Sequence, residues 1–254
     1  MPRHLNIACL QTRPMADFQS ALDEALALAE VAVRGGAEML ALPEYCGGLK
    51  TDGAMFTPPV APEEDHLVLQ GLRAFARDNR VWMSIGSLAV PGLEGRIFNR
   101  GFMIDDTGSI RSRYDKIHMF DVDLGGGEFY KESATYAPGD KAVVTELPWG
   151  SLGMSICYDI RFAYLYRRLA QAGAEILCAP AAFTKITGEA HWHILQRARA
   201  IETGSFVISP GLCGVHAEGR ETFGHSVIID PWGKVWPCCH VSLYGTYIEN
   251  ADLT

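Results

Sequence analysis

The sequence predicts an α/β fold, a mixed sheet system with helices packed outside it. Helical and strand-like patterns alternate at both ends of the chain, and hairpin-like strand pairs fall between them. No linker, repeat or low-complexity segment interrupts residues 1–254, so they are read as a single domain. A composition of 48% hydrophobic and 20% charged residues suits a chain with a sizeable core.

Residues 5–10 read as an apolar strand. Asp17 opens a helix with Phe18, Leu22, Leu26, Ala29 and Val33 at three-to-four spacing, and Gly35-Gly36 closes it. A second apolar run begins at Met39 and ends at Pro43-Glu44. Proline interrupts ladder hydrogen bonding, so Glu44 is expected just beyond a strand end. Residues 46–64 have no clear period and read as a surface connection. A helix over 65–78 puts Val68, Leu72, Phe75 and Ala76 on one face, and 81–86 is the next strand.

Residues 97–104 and 110–114 form a hairpin around the Asp105-Asp-Thr-Gly turn, and Lys116 follows directly. Residues 121–140 are loop-like, with turns at Gly125-Gly-Gly and Pro138-Gly-Asp. A second hairpin, 142–147 with 152–156, is joined through Pro148-Trp-Gly-Ser and runs straight into Cys157. A helix (164–172), a strand (176–179), a helix (191–203) and a strand (206–210) come next. Residues 224–229 and 234–236 make a last hairpin-like pair around Asp230-Pro-Trp-Gly.

A net charge of -8 argues against nucleic acid as a partner, because phosphate binding needs clustered Lys and Arg. No apolar run approaches the length of a membrane span, and the N-terminus lacks a signal-peptide pattern. A cytoplasmic protein with no membrane partner is therefore expected. The seven cysteines, an odd number lying mostly in apolar runs, read as reduced thiols. Cys238-Cys239-His240 has no second half, and adjacent cysteines make a poor tetrahedral clamp, so no metal site is expected.

Cys157 stands where an apolar strand runs into a sharp turn, on a rigid element with backbone N–H groups close by. That stretch alone leaves two readings open, a nucleophile or a small core residue. A nucleophilic thiol needs a group that takes its proton and a cation that stabilises negative charge. The histidines 118, 191, 193 and 225 lie in no recognisable cysteine-protease setting and read as structural. Glu44, Lys116 and Cys157, by contrast, each stand at the end of a strand-like element.

The motifs Leu42-Pro-Glu44, Tyr114-Asp-Lys116-Ile-His-Met-Phe and Cys157-Tyr-Asp-Ile-Arg-Phe, in this order and separation, resemble the nitrilase superfamily of carbon–nitrogen hydrolases. Phe223-Gly-His-Ser and Asp230-Pro-Trp-Gly are similar to later landmarks of that family, so the resemblance covers residues 5–237. It implies a four-layer αββα sandwich, assembly into a homodimer or higher homo-oligomer, and no cofactor. It also implies the chemistry of an amidase: Glu44 as general base, Cys157 as the thiolate that forms a thioester, and Lys116 with the backbone N–H of Tyr158 around the oxyanion. A second glutamate is implied after the lysine. Glu132 in Lys131-Glu-Ser is the better match and Glu128 the weaker one.

Within the superfamily, Thr187-Gly-Glu-Ala-His-Trp192 and Arg197-Ala-Arg-Ala-Ile-Glu202 resemble the deaminated glutathione amidase branch. The ω-amidase branch, acting on 2-oxoglutaramate or 2-oxosuccinamate, shares the helix and the cysteine turn. Both act on small carboxylate-bearing amides. An N-carbamoyl or aliphatic amidase and a catalytically silent binding scaffold remain as alternatives. An anionic substrate asks for another cation. Arg161 is the candidate, since a guanidinium binds a carboxylate bidentately, although pairing with Asp159 is equally open. Phe183 and Thr184 are candidates for the acyl pocket, with burial in the core as the alternative, and His191 and Trp192 for its rim. The resemblance frays over the C-terminal tail, 238–254, which is divergent or shortened. There 245–252 is left to supply a closing strand, and dimer pairing is put in doubt.

Overall fold

The first strand, β1 (His4–Gln11), sends Leu5, Ile7 and Cys9 into one buried cluster and Ala8 and Leu10 into another. A period of two with both faces buried describes a sheet covered on both sides. The computed structural model, which describes residues 4–52, 55–125, 129–216, 219–236 and 245–252, shows what covers it.

Strands β2 (Met39–Ala41), β3 (Trp82–Pro91), β4 (Ile97–Ile104) and β5 (Ile110–Asp115) extend the sheet from β1. A second sheet holds β6 (Val143–Leu147), β7 (Gly150–Met154), β8 (Ile176–Cys178), β9 (Phe206–Ser209) and β10 (Val227–Ile229), in that order. The last strand, β11 (Gly245–Asp252), returns to the first sheet and pairs antiparallel with β1, Gln11 opposite Gly245. The first sheet thus has the order β11-β1-β2-β3-β4-β5, parallel through β1, β2 and β3 and antiparallel beyond. The closing strand expected over 245–252 is present.

Helices α1 (Phe18–Arg34) and α2 (Leu67–Asn79) pack on the outer face of the first sheet. Helices α3 (Ala163–Gln171) and α4 (Lys185–Thr203) share the second sheet's buried cluster, which continues between the sheets. The result is the four-layer αββα sandwich. Asp17 caps α1, its carboxylate accepting from the Ser20 N–H at 2.9 Å. Among the described residues no helix is long and apolar enough to cross a membrane. Cys9, Cys46, Cys157, Cys178 and Cys213 are buried free thiols, whereas Cys238, Cys239 and His240 lie outside the described residues.

Several expectations are corrected. The buried face of α1 is Ala21, Leu22, Ala25, Ala29 and Ala32, while Phe18, Leu26 and Val33 pack only partly buried beside it. Residues 46–49 are buried, not a surface connection, with Gly47 against Leu88 and His66 and Gly48 against Pro59. The loop over 121–140 contains a ribbon, Asp121–Asp123 with Phe129–Lys131, and a 3₁₀ turn, Glu132–Ala134. Helix α4 starts at Lys185, six residues ahead of the expected His191, because Thr184 caps it by accepting from the Thr187 N–H. Strand β3 runs on to Pro91 through an irregularity between Ile85 and Leu88. Gly86 sits in that break, where a Cβ would lie 2.2 Å from the Leu42 carbonyl oxygen. The break therefore lets the chain leaving β2 pass across β3.

Candidate active site

The chain leaves β2 through Leu42, whose N–H still donates to Ser84 O, and Pro43 then ends the ladder. Glu44 follows, and Tyr45 adopts a left-handed backbone (φ 59°) secured by its N–H on Ser87 Oγ at 2.9 Å. Lys116 leaves β5 with its N–H on Asn99 O. On the opposite sheet, β7 leads into the 3₁₀ turn Cys157–Arg161. Cys157 itself is left-handed, at φ 48°, which a non-glycine residue holds only when its surroundings enforce it.

The surroundings are specific. Cys157 N–H donates to Pro180 O at 2.8 Å, and Asp159 N–H to Ile156 O. The fully buried Asp159 carboxylate accepts from Ile156 N–H (2.9 Å), His118 N–H (3.0 Å) and the Tyr114 hydroxyl (2.7 Å). Residues from both sheets thus brace the corner. Between its two committed neighbours, the Tyr158 N–H has no acceptor among the described residues.

Glu44, Lys116 and Glu132 meet beside Cys157 with exposures of 1%, 2% and 0%. Lys116 Nζ donates to Glu44 Oε1 at 2.9 Å and to Glu132 Oε1 and Oε2 at 3.0 and 2.9 Å. The remaining lone pairs are also met. Ala182 N–H donates to Glu44 Oε2 at 2.9 Å, Phe120 N–H to Glu132 Oε2 at 2.6 Å, and the Tyr45 hydroxyl to Glu132 Oε1 at 3.0 Å. Asn99 Nδ2 bridges the two carboxylates, 2.9 Å from Glu44 and 3.3 Å from Glu132. Charges buried this deeply are tolerable only when paired and hydrogen-bonded throughout. The Cys157 thiol lies beside this group, within the electrostatic reach of both Glu44 and Lys116.

Burial pushes the Glu44 carboxyl above its ordinary pKa; Lys116 pulls the other way and Glu132 reinforces the rise. Burial alone would lower Lys116, but the attraction of Glu132 and Glu44 prevails and holds it well above the usual lysine value. The Cys157 thiol is driven well up, by burial and then by Glu44, against the pull of Lys116. A neutral thiol therefore faces a carboxylate with raised proton affinity. Moving the proton from sulfur to Glu44 leaves the cluster's net charge unchanged, which is what a low-dielectric pocket permits.

This cluster forms the floor of a cleft of about 590 Å³ including its open mouth. Phe120, Tyr130, Tyr158 and Phe183 make aromatic walls, and Thr184, His216, Arg220 and Thr222 add polar ones. Of the sequence candidates, Glu44, Lys116, Glu132 and Cys157 are brought together, and Tyr158, Phe183 and Thr184 line the cleft. Glu128 lies outside the described residues.

Three candidates fall elsewhere. Arg161 does not line the cleft and does not pair with Asp159. Its guanidinium lies over the Tyr158 and Phe183 rings, with Nη2 3.2 Å from His191 Nδ1. His191 is exposed, outside the lining. Trp192 is a core residue, not a rim residue: it is 1% exposed, its indole donates to His225 O, and its ring packs edge-on against Phe183. Both lie mid-helix because α4 starts early. Missed in the sequence were Tyr45, Asn99, the bracing role of Asp159, and Arg220. Asn99 carried a signal, as an asparagine amid Ile97-Phe-Asn-Arg-Gly-Phe is an unusual strand residue.

The carbon–nitrogen hydrolase family model matches residues 6–243. The chain belongs to the carbon–nitrogen hydrolase family. It is 41% identical over 207 residues to the deaminated glutathione amidase of Yersinia enterocolitica, covering 80% of this chain and 72% of that one. To the deaminated glutathione amidase of Synechocystis sp. it is 40% identical over 234 residues, 90% of this chain and 85% of the relative. Its fold matches the crystal structure of the C. elegans NitFhit protein with a TM-score of 0.88 and 31% identity, over 99% of this chain. The match spans 61% of the longer NitFhit chain. This carbon–nitrogen hydrolase thus has the nitrilase-type sandwich, and it acts on C–N bonds. Among its described residues no group of three His, Cys, Asp or Glu side chains could hold a metal ion.

Proposed function

We propose that this hydrolase is an amidase that cleaves deaminated glutathione to 2-oxoglutarate and cysteinylglycine through a thioester on Cys157. The observation that carries the reading is the Cys157 thiol set beside Glu44, which is itself fixed by Lys116, Asn99 and Ala182 N–H at the floor of an open cleft. The names of the relatives support this substrate.

Glu44 takes the Sγ proton as sulfur attacks the amide carbon. The C=O pair becomes an oxyanion. Once protonated, Glu44 loses its hold on Lys116, and one Nζ–H turns to the oxyanion together with the Tyr158 N–H. Glu132, Tyr45 and Phe120 N–H keep the ammonium in place meanwhile. The oxyanion collapses, Glu44 gives its proton to the departing nitrogen, and the C–N bond breaks, leaving the thioester. Water then yields a proton to Glu44 and attacks the same carbon. The C–S bond breaks and sulfur recovers the proton from Glu44. Protein groups and water close every step.

Cys157→Ala should abolish turnover while circular dichroism stays unchanged; near-normal hydrolysis by that variant would remove the central claim. Deaminated glutathione should show a higher kcat/KM than 2-oxoglutaramate, and the reverse ranking would make the chain an ω-amidase. Ammonia released from simple aliphatic amides faster than cysteinylglycine from deaminated glutathione would favour the aliphatic amidase reading.

We further infer pairing of two copies. Ile186, Ile194 and Ile201 recur along α4 at 58%, 70% and 55% exposure, an apolar line a lone monomer would leave in water. Sedimentation velocity of the wild type against Ile194→Glu tests it, with a monomeric wild type as the adverse result. The buried free thiols support a reducing, cytoplasmic setting.

A further inference from the structure

Asn99 is buried, and its hydrogen bonds are all on one side of its amide. Nδ2 serves Glu44 Oε1 at 2.9 Å and Glu132 Oε1 at 3.3 Å, while Oδ1 has no partner among the described residues. A buried acceptor left unpaired costs about 1–3 kcal/mol. Turning the amide over gives no relief, because Oδ1 would then press on both carboxylates. The side chain is thus held in one orientation by what its nitrogen does.

The backbone places Asn99 independently of that amide. It stands opposite Ala89 of β3, and its carbonyl accepts the Lys116 N–H at 3.0 Å. Two residues earlier on β4, Ile97 N–H donates to Thr135 O, and Ile97 O accepts from Ala137 N–H. One strand therefore sets Asn99, the start of the lysine segment and the end of the turn that carries Glu132.

The ionisable groups facing Glu44 are Lys116, Glu132, Cys157 and the hydroxyls of Tyr45 and Tyr136. Two carboxylates against one ammonium leave an excess negative charge in a buried site, which favours protonating one of them. A neutral amide that can send one N–H to each carboxylate favours keeping both ionised and adds no charge of its own. It also makes the two oxygens of Glu44 unequal. Oε1 accepts from Lys116 and Asn99, each at 2.9 Å, which fills both its lone pairs. Oε2 accepts from Ala182 N–H and keeps a lone pair for a proton.

We propose that Asn99 is a positioning residue that keeps Glu44 ionised at rest and confines the proton Glu44 takes up to Oε2. The inference rests on the amidase reading above, and Asn99 acts through Glu44 without touching the substrate. When Lys116 turns to the oxyanion, Asn99 stays on Oε1, so that oxygen remains occupied until the proton is handed on.

The test follows Glu44 through pH. Asn99→Leu keeps the side-chain volume and the strand's backbone bonds and removes both donors. The acid limb of kcat/KM should move up by about one pH unit, with KM on the plateau within about twofold of wild type. An unmoved limb in folded Asn99→Leu would overturn the proposal, since a purely structural asparagine would lower activity alike at every pH. A second readout needs neither turnover nor a change at residue 99. The chain has four asparagines, Asn6, Asn79, Asn99 and Asn250, so selective ¹⁵N-asparagine labelling gives a sparse spectrum of side-chain N–H pairs. One pair should shift with pH in the wild type and stop titrating in Glu44→Gln. If no pair titrates in the wild type, or if it titrates equally in Glu44→Gln, the proposal is overturned even where Asn99→Leu fails to fold. A wild type inert toward deaminated glutathione would sink the amidase reading and leave the labelling experiment to decide on Asn99.

Discussion

Tyr114 gives its buried hydroxyl to Asp159 at 2.7 Å, and this bond ties the end of one sheet to the nucleophile's turn on the other. Asp159→Ala would strand the Tyr114 hydroxyl and the N–H groups of Ile156 and His118 in the interior. A loss of about 3 kcal/mol or more is expected in urea titrations, together with slower alkylation of Cys157 by iodoacetamide. Tyr114→Phe, which leaves the carboxylate its backbone donors, should cost about 1.5 kcal/mol.

The base works only when ionised, and folding raises its pKa. The acid limb of kcat/KM should therefore have its midpoint above the ordinary glutamate value of 4.5, with activity rising as pH rises through it. Thiol ionisation adds no second limb near neutrality, because the Cys157 pKa lies well above its usual value. Glu44→Gln should lower kcat by about 10²–10⁴-fold and abolish the acid limb. Measured pH profiles of both proteins check this.

Gly86→Ala probes how Glu44 is carried. The added carbon would stand 2.2 and 2.3 Å from the carbonyl oxygens of Leu42 and Pro43, backbone atoms that cannot rotate away. The expected cost is about 3 kcal/mol. Because the strain falls on the segment ending in Glu44, kcat should drop as well, even far below the denaturation midpoint.

His66 gives the fold a second pH dependence, unconnected with catalysis. Its ring is fully buried, both nitrogens lack a partner among the described residues, and burial lowers its pKa from 6.5 to about 4. A depressed folded-state pKa means that stability is whole above 6.5, declines as pH falls towards about 4, and loses no more from this group below that. The total is about 3 kcal/mol. Urea midpoints at pH 7.5 and pH 5 should differ in the wild type and converge in His66→Leu.

The sequence made most strands legible, because their period of two and their Pro and Gly boundaries are local. Glu44, Lys116 and Cys157 were legible for a related reason, each standing at an element end within a recognisable motif. The start of α4 was not, because Gly188 weakens a helical pattern by about 1 kcal/mol and its justification is Phe223, far along the chain. Trp192 followed from the same misplaced boundary. Arg220 reads as an ordinary turn charge in Gly-Arg-Glu-Thr, and only the ribbon of Cys213–Val215 with Glu221–Phe223, tied to Phe183 O by the Phe223 N–H, brings it to the cleft. Asp159 looked like a partner for Arg161, whereas the fold surrounds it with the Tyr114 hydroxyl, the Ile156 N–H and the His118 N–H and ring, drawn from both sheets.

Glu44 and Lys116 hang from the six-stranded sheet, and Cys157 with the Ala182 N–H comes from the five-stranded one. A refolding chain with either sheet complete but undocked would be hydrolytically inert, having a base without a nucleophile or the reverse. Turnover should thus return later than far-ultraviolet dichroism, and the interval between the two signals would time the closing of the seam.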